Sequence, residues 1–346
     1  MRALILAGGK GTRLRPLTVY TPKPIVPVMN RPFLEYQIEI LKRAGINKII
    51  LSLSYQPDKI QHLLGFGHDL GVELDYVTEP QPMGTGGAYR YAADKLEGPT
   101  IVLNGDVLTD LIVTKLVKHH QASGAKATIG LTAVEDPSNY GVVTRAEDAF
   151  VTGFLEKPTL DELKASGSDL VNAGIYILEP EILDLIPEGQ NFSFEYNVFP
   201  AILETGLKFS SFVLDKAYWR DIGTPESYLA AHMDFLAGKV RNYPIERATD
   251  FDRATTTFID QSSVIGPECV IKPNVTITNS VLGRGVVVEE RAVIENSVVW
   301  SHTRISNSAE ISGAVLARSC YIGKNCIVTP GAVLGNKSSL TDYTKV

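Results

Sequence analysis

Met1-Arg-Ala-Leu-Ile-Leu-Ala-Gly-Gly-Lys-Gly-Thr-Arg-Leu-Arg-Pro-Leu-Thr18 opens with an apolar run, Ala3 to Ala7, and breaks at once into a loop carrying Gly8, Gly9 and Gly11. An unbroken aliphatic run closed by glycines is the pattern of a strand buried on both faces of a parallel sheet. Glycines directly after such a strand let backbone N–H groups approach a phosphate or a flat base. Thr12, Arg13, Arg15 and Lys23 follow closely and bring donors and positive charge suited to a polyphosphate. Three spaced glycines also fit a tight structural turn, so the loop has to be read with its surroundings. It is not a Walker-type loop, because no Gly-Lys-Ser/Thr ending exists. It is not the dinucleotide fingerprint either, since Gly9-Lys-Gly11-Thr-Arg-Leu14 carries leucine where the third glycine belongs.

Working outward, strand-like runs at Ile49–Leu53, Leu74–Val77, Thr100–Leu103 and Ala127–Leu131 alternate with helical patterns at Phe33–Ala44, Gly84–Leu96 and Leu111–Ser123. That alternation predicts an α/β domain over residues 1–235, Rossmann-like, with a mainly parallel sheet covered by helices on both faces. In such sheets ligands gather at the carboxyl ends of the strands, where the glycine loop lies.

Past about residue 258 the pattern changes. Aliphatic residues fall at Ile265, Ile271, Ile277, then Leu282, Val288, Ile294, then Val299, Ile305, Ile311, then Leu316, Ile322, Val328, then Val333. The steps are six, six and five, giving a repeat of 17 residues. Neither a helix nor a meander produces that spacing; a triangular coil with one short strand per face does. The pattern resembles the left-handed parallel β-helix of hexapeptide-repeat proteins, over residues 259–346. Residues 236–258, with Lys239, Arg241, Arg247, Asp250 and Asp252, read as a polar linker.

Composition narrows the function classes. With 346 residues there is room for two domains, and 21% charged against 44% hydrophobic residues is a globular profile. A net charge of −6 argues against bulk nucleic-acid binding. No apolar run reaches the length of a membrane span or a signal-peptide core, so a cytoplasmic protein with no membrane partner is expected. Cys269, Cys320 and Cys326 form no Cys-x-x-Cys and read as small packing residues.

Two aspartates stand where chemistry is expected. Asn104-Gly-Asp106 follows the run Thr100–Leu103, and Trp219-Arg-Asp221-Ile-Gly-Thr224-Pro225 precedes a helix start with Thr224 as cap and proline at its first position. Either alone fits a turn or cap residue. With the glycine loop they suggest a Mg²⁺ site, since Mg²⁺ is held by one or two carboxylates plus phosphate oxygens.

The string from Met1 to Val28, including Thr21-Pro-Lys-Pro-Ile-Val-Pro-Val28, resembles the signature of the sugar-1-phosphate nucleotidylyltransferases, and four further motifs continue the likeness to about residue 235. These are Glu79-Pro-Gln-Pro-Met-Gly84, Asn104-Gly-Asp106, Phe154-Leu-Glu-Lys-Pro158 with Val171-Asn-Ala-Gly174, and Trp219-Arg-Asp221. The resemblance implies the reaction of a nucleoside triphosphate with a sugar 1-phosphate to give a nucleotide sugar and pyrophosphate. It implies nucleotide contacts at Leu6, Ala7, Gly8, Gly9, Gly11, Thr12, Arg13, Lys23, Glu79, Gly84 and Asp106, and Mg²⁺ on Asp106 and Asp221. It further implies sugar-phosphate contacts at Gly141, Glu156, Lys157 and Asn172. Arg13, Lys23, Asp106 and Asp221 are the expected catalytic groups, Arg13 on the leaving pyrophosphate and Lys23 on the α-phosphate.

Glu79 occupies the position where branches that use uridine or thymidine tend to carry glutamine. An ionised carboxylate only accepts hydrogen bonds, which suits guanine's N1–H and N2 amino donors and opposes the carbonyls of uracil. GTP and mannose 1-phosphate are therefore the expected substrates, as in the mannose-1-phosphate guanylyltransferase branch. Gln81 lies close and suits a pyrimidine, so a UTP- or dTTP-dependent glucose-1-phosphate enzyme stays open, as does a non-catalytic regulatory subunit. The β-helix carries one histidine, His302, which reads as a surface residue rather than an acyltransferase base. An open solenoid end suggests a homo-oligomer.

Overall fold

The computed structural model describes residues 1–346 as two compact units, one of Met1–Gly9 with Leu34–Trp219 and one of Lys10–Phe33 with Arg220–Val346. The first holds a nine-stranded sheet of β1 (Arg2–Leu6), β2 (Lys48–Leu53), β3 (Glu73–Thr78), β4 (Thr100–Asn104), β5 (Ala127–Ala133), β6 (Gly141–Arg145), β7 (Val151–Glu156), β8 (Leu170–Leu178) and β9 (Phe209–Val213). Its main path runs β7-β6-β8-β4-β1-β2-β3, with β5 against β8 and β9 against β5. β1 is central and parallel to both neighbours, and Ala3, Leu4 and Ile5 are fully buried, as the unbroken aliphatic run requires.

The sheet is parallel from β4 through β1 and β2 to β3, and mixed beyond. β8 runs antiparallel to β4, β5 and β6, and β7 antiparallel to β6. A parallel neighbour needs a long crossover. Between β5 and β8 the chain instead makes the β6–β7 hairpin and one short helix, and so returns in the opposite direction. The expected helices form as Phe33–Arg43, Gly84–Tyr91 and Val113–Ser123, the second followed by a separate turn at Ala93–Lys95. Tyr89, Tyr176, Phe194 and Phe199 are fully buried in one apolar cluster on the sheet, with ring centroids 5.3 to 5.8 Å apart.

In the second unit, three parallel sheets form the faces of the left-handed β-helix. Ile265 pairs with Leu282, Leu282 with Val299 and Val299 with Leu316, all pointing into a continuous apolar core. Each such side chain contributes roughly 1.5–3 kcal/mol on burial. The tight five-step corner needs a left-handed residue, supplied by Asn279 (φ 45°), Asn296 (φ 48°) and Gly313 (φ 56°). Next to it, Ser263, Ser280 and Ser297 form a buried ladder, each hydroxyl accepting from the N–H one coil on at 3.1 Å. The 17-residue spacing breaks at the last coil: Leu316 pairs with Leu334, not Val333. The corner there reads Thr329-Pro-Gly-Ala332, one residue longer than Ser312-Gly-Ala314, which shifts the inward position by one. The first rung, Asp252–Arg253, falls inside the polar stretch 236–258, and the second, Phe258–Ile259, straddles its end. All three cysteines are buried, and burial pushes the Cys269 thiol up to about 11.

Candidate active site

The sheet unit carries two clusters of expected residues, one around the glycine loop and Glu79, the other around Glu156. After β1, Ala7 donates to the Ser52 carbonyl at 2.9 Å and Ser54 donates to the Gly8 carbonyl, so the glycine turn is held at the ends of β1 and β2. Glu79, at the end of β3, is buried; its Oε1 accepts from Ser52 Oγ at 2.8 Å and its Oε2 from the Met83 N–H at 3.1 Å. A methyl on Gly8 would stand 3.0 Å from Oε1, so only glycine leaves that carboxylate uncrowded. Gly84 has φ 72°, and a side chain there would meet the Phe192 carbonyl at 2.6 Å. The loop is clamped further by Gly87 donating to Phe192 O (2.8 Å) and Phe192 donating to Met83 O (2.9 Å).

Asp106 sits half-buried on the turn after β4. Gly105 N donates to Leu6 O at 2.9 Å, and a side chain at Gly105 would collide with that oxygen at 2.5 Å. Gln37, buried on the helix Phe33–Arg43, donates through Nε2 to both Asn104 O (2.8 Å) and Val107 O (2.9 Å), bracketing the turn that presents Asp106.

In the second cluster, Glu156 ends β7 opposite Gly141, and a methyl on Gly141 would lie 2.8 Å from Glu156 Oε2. Burial, reinforced by the nearby Glu195 carboxylate, holds the Glu156 carboxyl above the usual glutamate range. Lys157 takes a left-handed backbone (φ 48°) that turns its ammonium outward, 60% exposed and 3.7 Å from Glu156. Asn172 is anchored at a bulge in β8: its Oδ1 accepts from Gly174 N and its Nδ2 donates to Tyr176 Oη, both at 2.9 Å.

The second unit carries Arg13 and Lys23. Gly11 (φ 62°) lies against the lysine stem, where a methyl would be 2.9 Å from Lys23 Cβ. Thr12 and Arg13 stand on an exposed single turn, Thr12–Leu14, pinned by Leu14, which is fully buried. Lys23 is buried, with Nζ 3.9 Å from Asp221 Oδ1, while Arg13 Nη2 lies 3.7 Å from Asp221 Oδ2 and remains 67% exposed. The Asp221 carboxylate is thus bracketed by two cations. Arg15 is exposed. Asp221 is fixed from both sides: Arg220 pairs with Asp234 at 2.7 Å, and Ser227 donates to the Asp221 carbonyl at the start of the helix Pro225–Leu236, which Thr224 caps.

The expected residues thus fall in two sets. Leu6, Ala7, Gly8, Gly9, Glu79, Gly84, Asp106, Gly141, Glu156, Lys157 and Asn172 belong to the sheet unit; Gly11, Thr12, Arg13, Lys23 and Asp221 belong to the other. Gln37 and Glu195 were not legible. Gln37 looks like the polar edge of an amphipathic helix, and Glu195 lies on a π-helical turn, Phe194–Val198, where Ser193 (2.6 Å) and Thr85 (2.9 Å) hold it. No group of three or more His, Cys, Asp or Glu side chains gathers as a self-sufficient metal site. A Mg²⁺ ion that takes the rest of its shell from phosphate and water needs only one or two carboxylates, which the single aspartates fit. No helix is long and apolar enough to cross a membrane.

The nucleotidyl transferase family model matches residues 2–238, and a model of the EIF2B subunit epsilon LbH domain matches 243–346. The chain is similar to the mannose-1-phosphate guanylyltransferase of Mycobacterium tuberculosis (strain ATCC 25618 / H37Rv), 41% identical over 238 residues, 68% of this chain and 65% of that protein. That match spans a little under two thirds of the mycobacterial protein. A probable mannose-1-phosphate guanylyltransferase 2 of Arabidopsis thaliana is 38% identical over 80% of this chain and 76% of its own length. The structure of HddC from Yersinia pseudotuberculosis superposes with a TM-score of 0.58 at 35% identity, covering 68% of this chain and 99% of that one; the same protein complexed with GMP-PN gives 0.58 at 34%.

Proposed function

The chain belongs to the nucleotidyl transferase family, and from that premise we propose that it transfers a guanylyl group from GTP to mannose 1-phosphate, releasing GDP-mannose and pyrophosphate. The names of its relatives support the substrate pair. The observation that carries the chemistry is the bracketing of Asp221 by Lys23 and Arg13 within 3.9 Å. A polyphosphate arriving beside this carboxylate would take over the two cations.

The attacking phosphate oxygen is already anionic, so no general base is needed, and catalysis consists of positioning and charge neutralisation. Lys23 neutralises the α-phosphate, and Arg13, exposed, takes the oxygens of the leaving pyrophosphate. Backbone groups from Leu6 to Thr12 line the triphosphate, and Gly84 opens the helix beside the base. Lys157 holds the attacking phosphate as a point charge. Glu156, Asn172 and the Gly141 backbone bind sugar hydroxyls, and Glu79 accepts from guanine. Asp106 and Asp221 would hold Mg²⁺, which offsets phosphate charge when bound. Exposed Tyr321 and Ile327 on the last coils support a homo-oligomer, and triphosphate chemistry with reduced thiols suits the cytoplasm. The test is a pyrophosphate-release assay crossing GTP, UTP, dTTP and ATP with mannose 1-phosphate and glucose 1-phosphate. GTP with mannose 1-phosphate should lead by at least tenfold in kcat/KM, and another pair in the lead overturns the substrate assignment.

A further inference from the structure

The lysine-bearing segment Lys10–Phe33 folds in the same compact unit as the β-helix, although some 220 residues separate them in sequence. Three contacts account for this. Tyr228, fully buried on the helix Pro225–Leu236, donates its hydroxyl proton to the Pro27 carbonyl and accepts from Trp300 Nε1 at 2.9 Å. The polarity is fixed, because an indole nitrogen only donates and a carbonyl only accepts. Asn30 Nδ2 donates to the Leu282 carbonyl at 2.9 Å from the tip of a two-residue hairpin, Pro27–Val28 with Arg31–Pro32, in which Met29 (φ 47°) and Asn30 (φ 65°) are both left-handed. Pro16 packs on Gly335, where a methyl would stand 3.2 Å away.

The position of Tyr228 gives these contacts a consequence. Pro27 directly follows the turn Lys23–Ile25, which Val26 closes by donating its N–H to Lys23 O at 3.2 Å. The helix bearing Tyr228 begins three residues earlier, and its Ser227 holds the Asp221 carbonyl. Both members of the Lys23–Asp221 pair are therefore braced from one helical turn, and Trp300 of the β-helix backs that turn. His232 closes the far side, its Nδ1 on the Tyr228 carbonyl at 2.9 Å and its ring edge-on to the tyrosine at 4.6 Å.

We propose that Tyr228 and Trp300 are positioning residues for Lys23, so that the β-helix, beyond any part in assembly, sets the geometry of the α-phosphate cation. The inference rests on the activity proposed above for its kinetic reading. Trp300→Phe removes the indole donor, and Tyr228→Phe removes both hydrogen bonds. Each should lower kcat for pyrophosphate release by about tenfold, within the hundredfold that a misplacement of ~1 Å costs. KM for the sugar 1-phosphate should stay unchanged, because Glu156, Lys157 and Asn172 belong to the other unit. The double variant should fall no further than Tyr228→Phe alone, since the two residues act through one bond.

Ile294→Val, in the β-helix core, is the control: it should lower the melting temperature and leave kcat alone. Asn30→Gly keeps the left-handed tip, deletes only the Leu282 contact at the one exposed residue of the hairpin, and should reduce kcat two- to threefold in a protein that folds normally. Wild-type kcat in all three site variants overturns the proposal, as does an equal loss in Ile294→Val. If the wild type releases no pyrophosphate from any triphosphate, the activity assignment fails rather than this one. Hydrogen exchange of residues 10–33 then decides: faster exchange in Trp300→Phe upholds the brace, and unchanged exchange refutes it.

Discussion

Glu79→Gln separates base recognition from loop architecture. In the wild type the buried carboxylate already serves two protein donors, Ser52 Oγ at 2.8 Å and Met83 N at 3.1 Å. An ionised carboxylate offers about four acceptor sites, so about two remain for a ligand. Glutamine has the same shape and satisfies both protein partners: its carbonyl takes the Met83 N–H, and its amide donates to Ser52, whose hydroxyl works in either direction. The loop therefore stands, while the charge is lost and one of the remaining acceptors becomes a donor. A hydrogen bond to a charged acceptor contributes roughly 1.5–3 kcal/mol, about ten- to over a hundredfold at 1.4 kcal/mol per decade. The assay is kcat/KM for GTP, UTP and dTTP by pyrophosphate release, with a thermal melt beside it. GTP use should fall by that factor, UTP and dTTP should hold or improve, and the melt should not move. Glu79→Ala differs: it strands the Met83 N–H and the Ser52 hydroxyl, roughly 1–3 kcal/mol each, and should lower the melt and all nucleotides together. A GTP/UTP ratio unmoved by Glu79→Gln, or a wild type that prefers UTP, refutes the guanine assignment.

Asp106→Asn and Asp221→Asn should each cut turnover by about a hundredfold or more with little change in melting, and EDTA should stop the wild type; near-normal rates in both variants at limiting Mg²⁺ would remove the metal assignment. Lys157→Ala should raise KM for the sugar 1-phosphate far more than for the triphosphate, whereas Lys23→Ala should lower kcat, and steady-state kinetics with each substrate varied in turn would expose an exchange of roles. The three thiols should resist a colorimetric disulfide reagent at pH 8 in the native protein and react in denaturant, because all are buried and the Cys269 thiol is pushed up to about 11; rapid native labelling contradicts that packing.

What was legible in the sequence, and what was not, follows from the range over which a residue leaves a signature. The strand Ala3–Ala7 and the aliphatics recurring every 17 residues are local patterns of burial, and the structure has them nearly residue for residue. The register slips only where Thr329-Pro-Gly-Ala332 inserts one residue, because a fixed period carries no notice of an insertion until the next pairing is seen. The sheet's turn to antiparallel pairing at Leu170–Leu178 was hidden for a related reason: strand identity is local, but direction depends on the connection. The groups proposed for the chemistry come from motifs, because phosphate, sugar and metal constrain residue type. Gln37 and Tyr228 do not, since each acts through a backbone carbonyl far along the chain, Asn104 and Val107 for one and Pro27 for the other. Any side chain of suitable reach and polarity can serve a carbonyl, so selection at such positions leaves no motif. A variant that keeps every motif residue and loses Gln37 or Tyr228 should therefore look intact by sequence and yet misplace Asp106 or Lys23. The motifs name the groups proposed for the transfer, and these buried polar contacts specify where those groups stand.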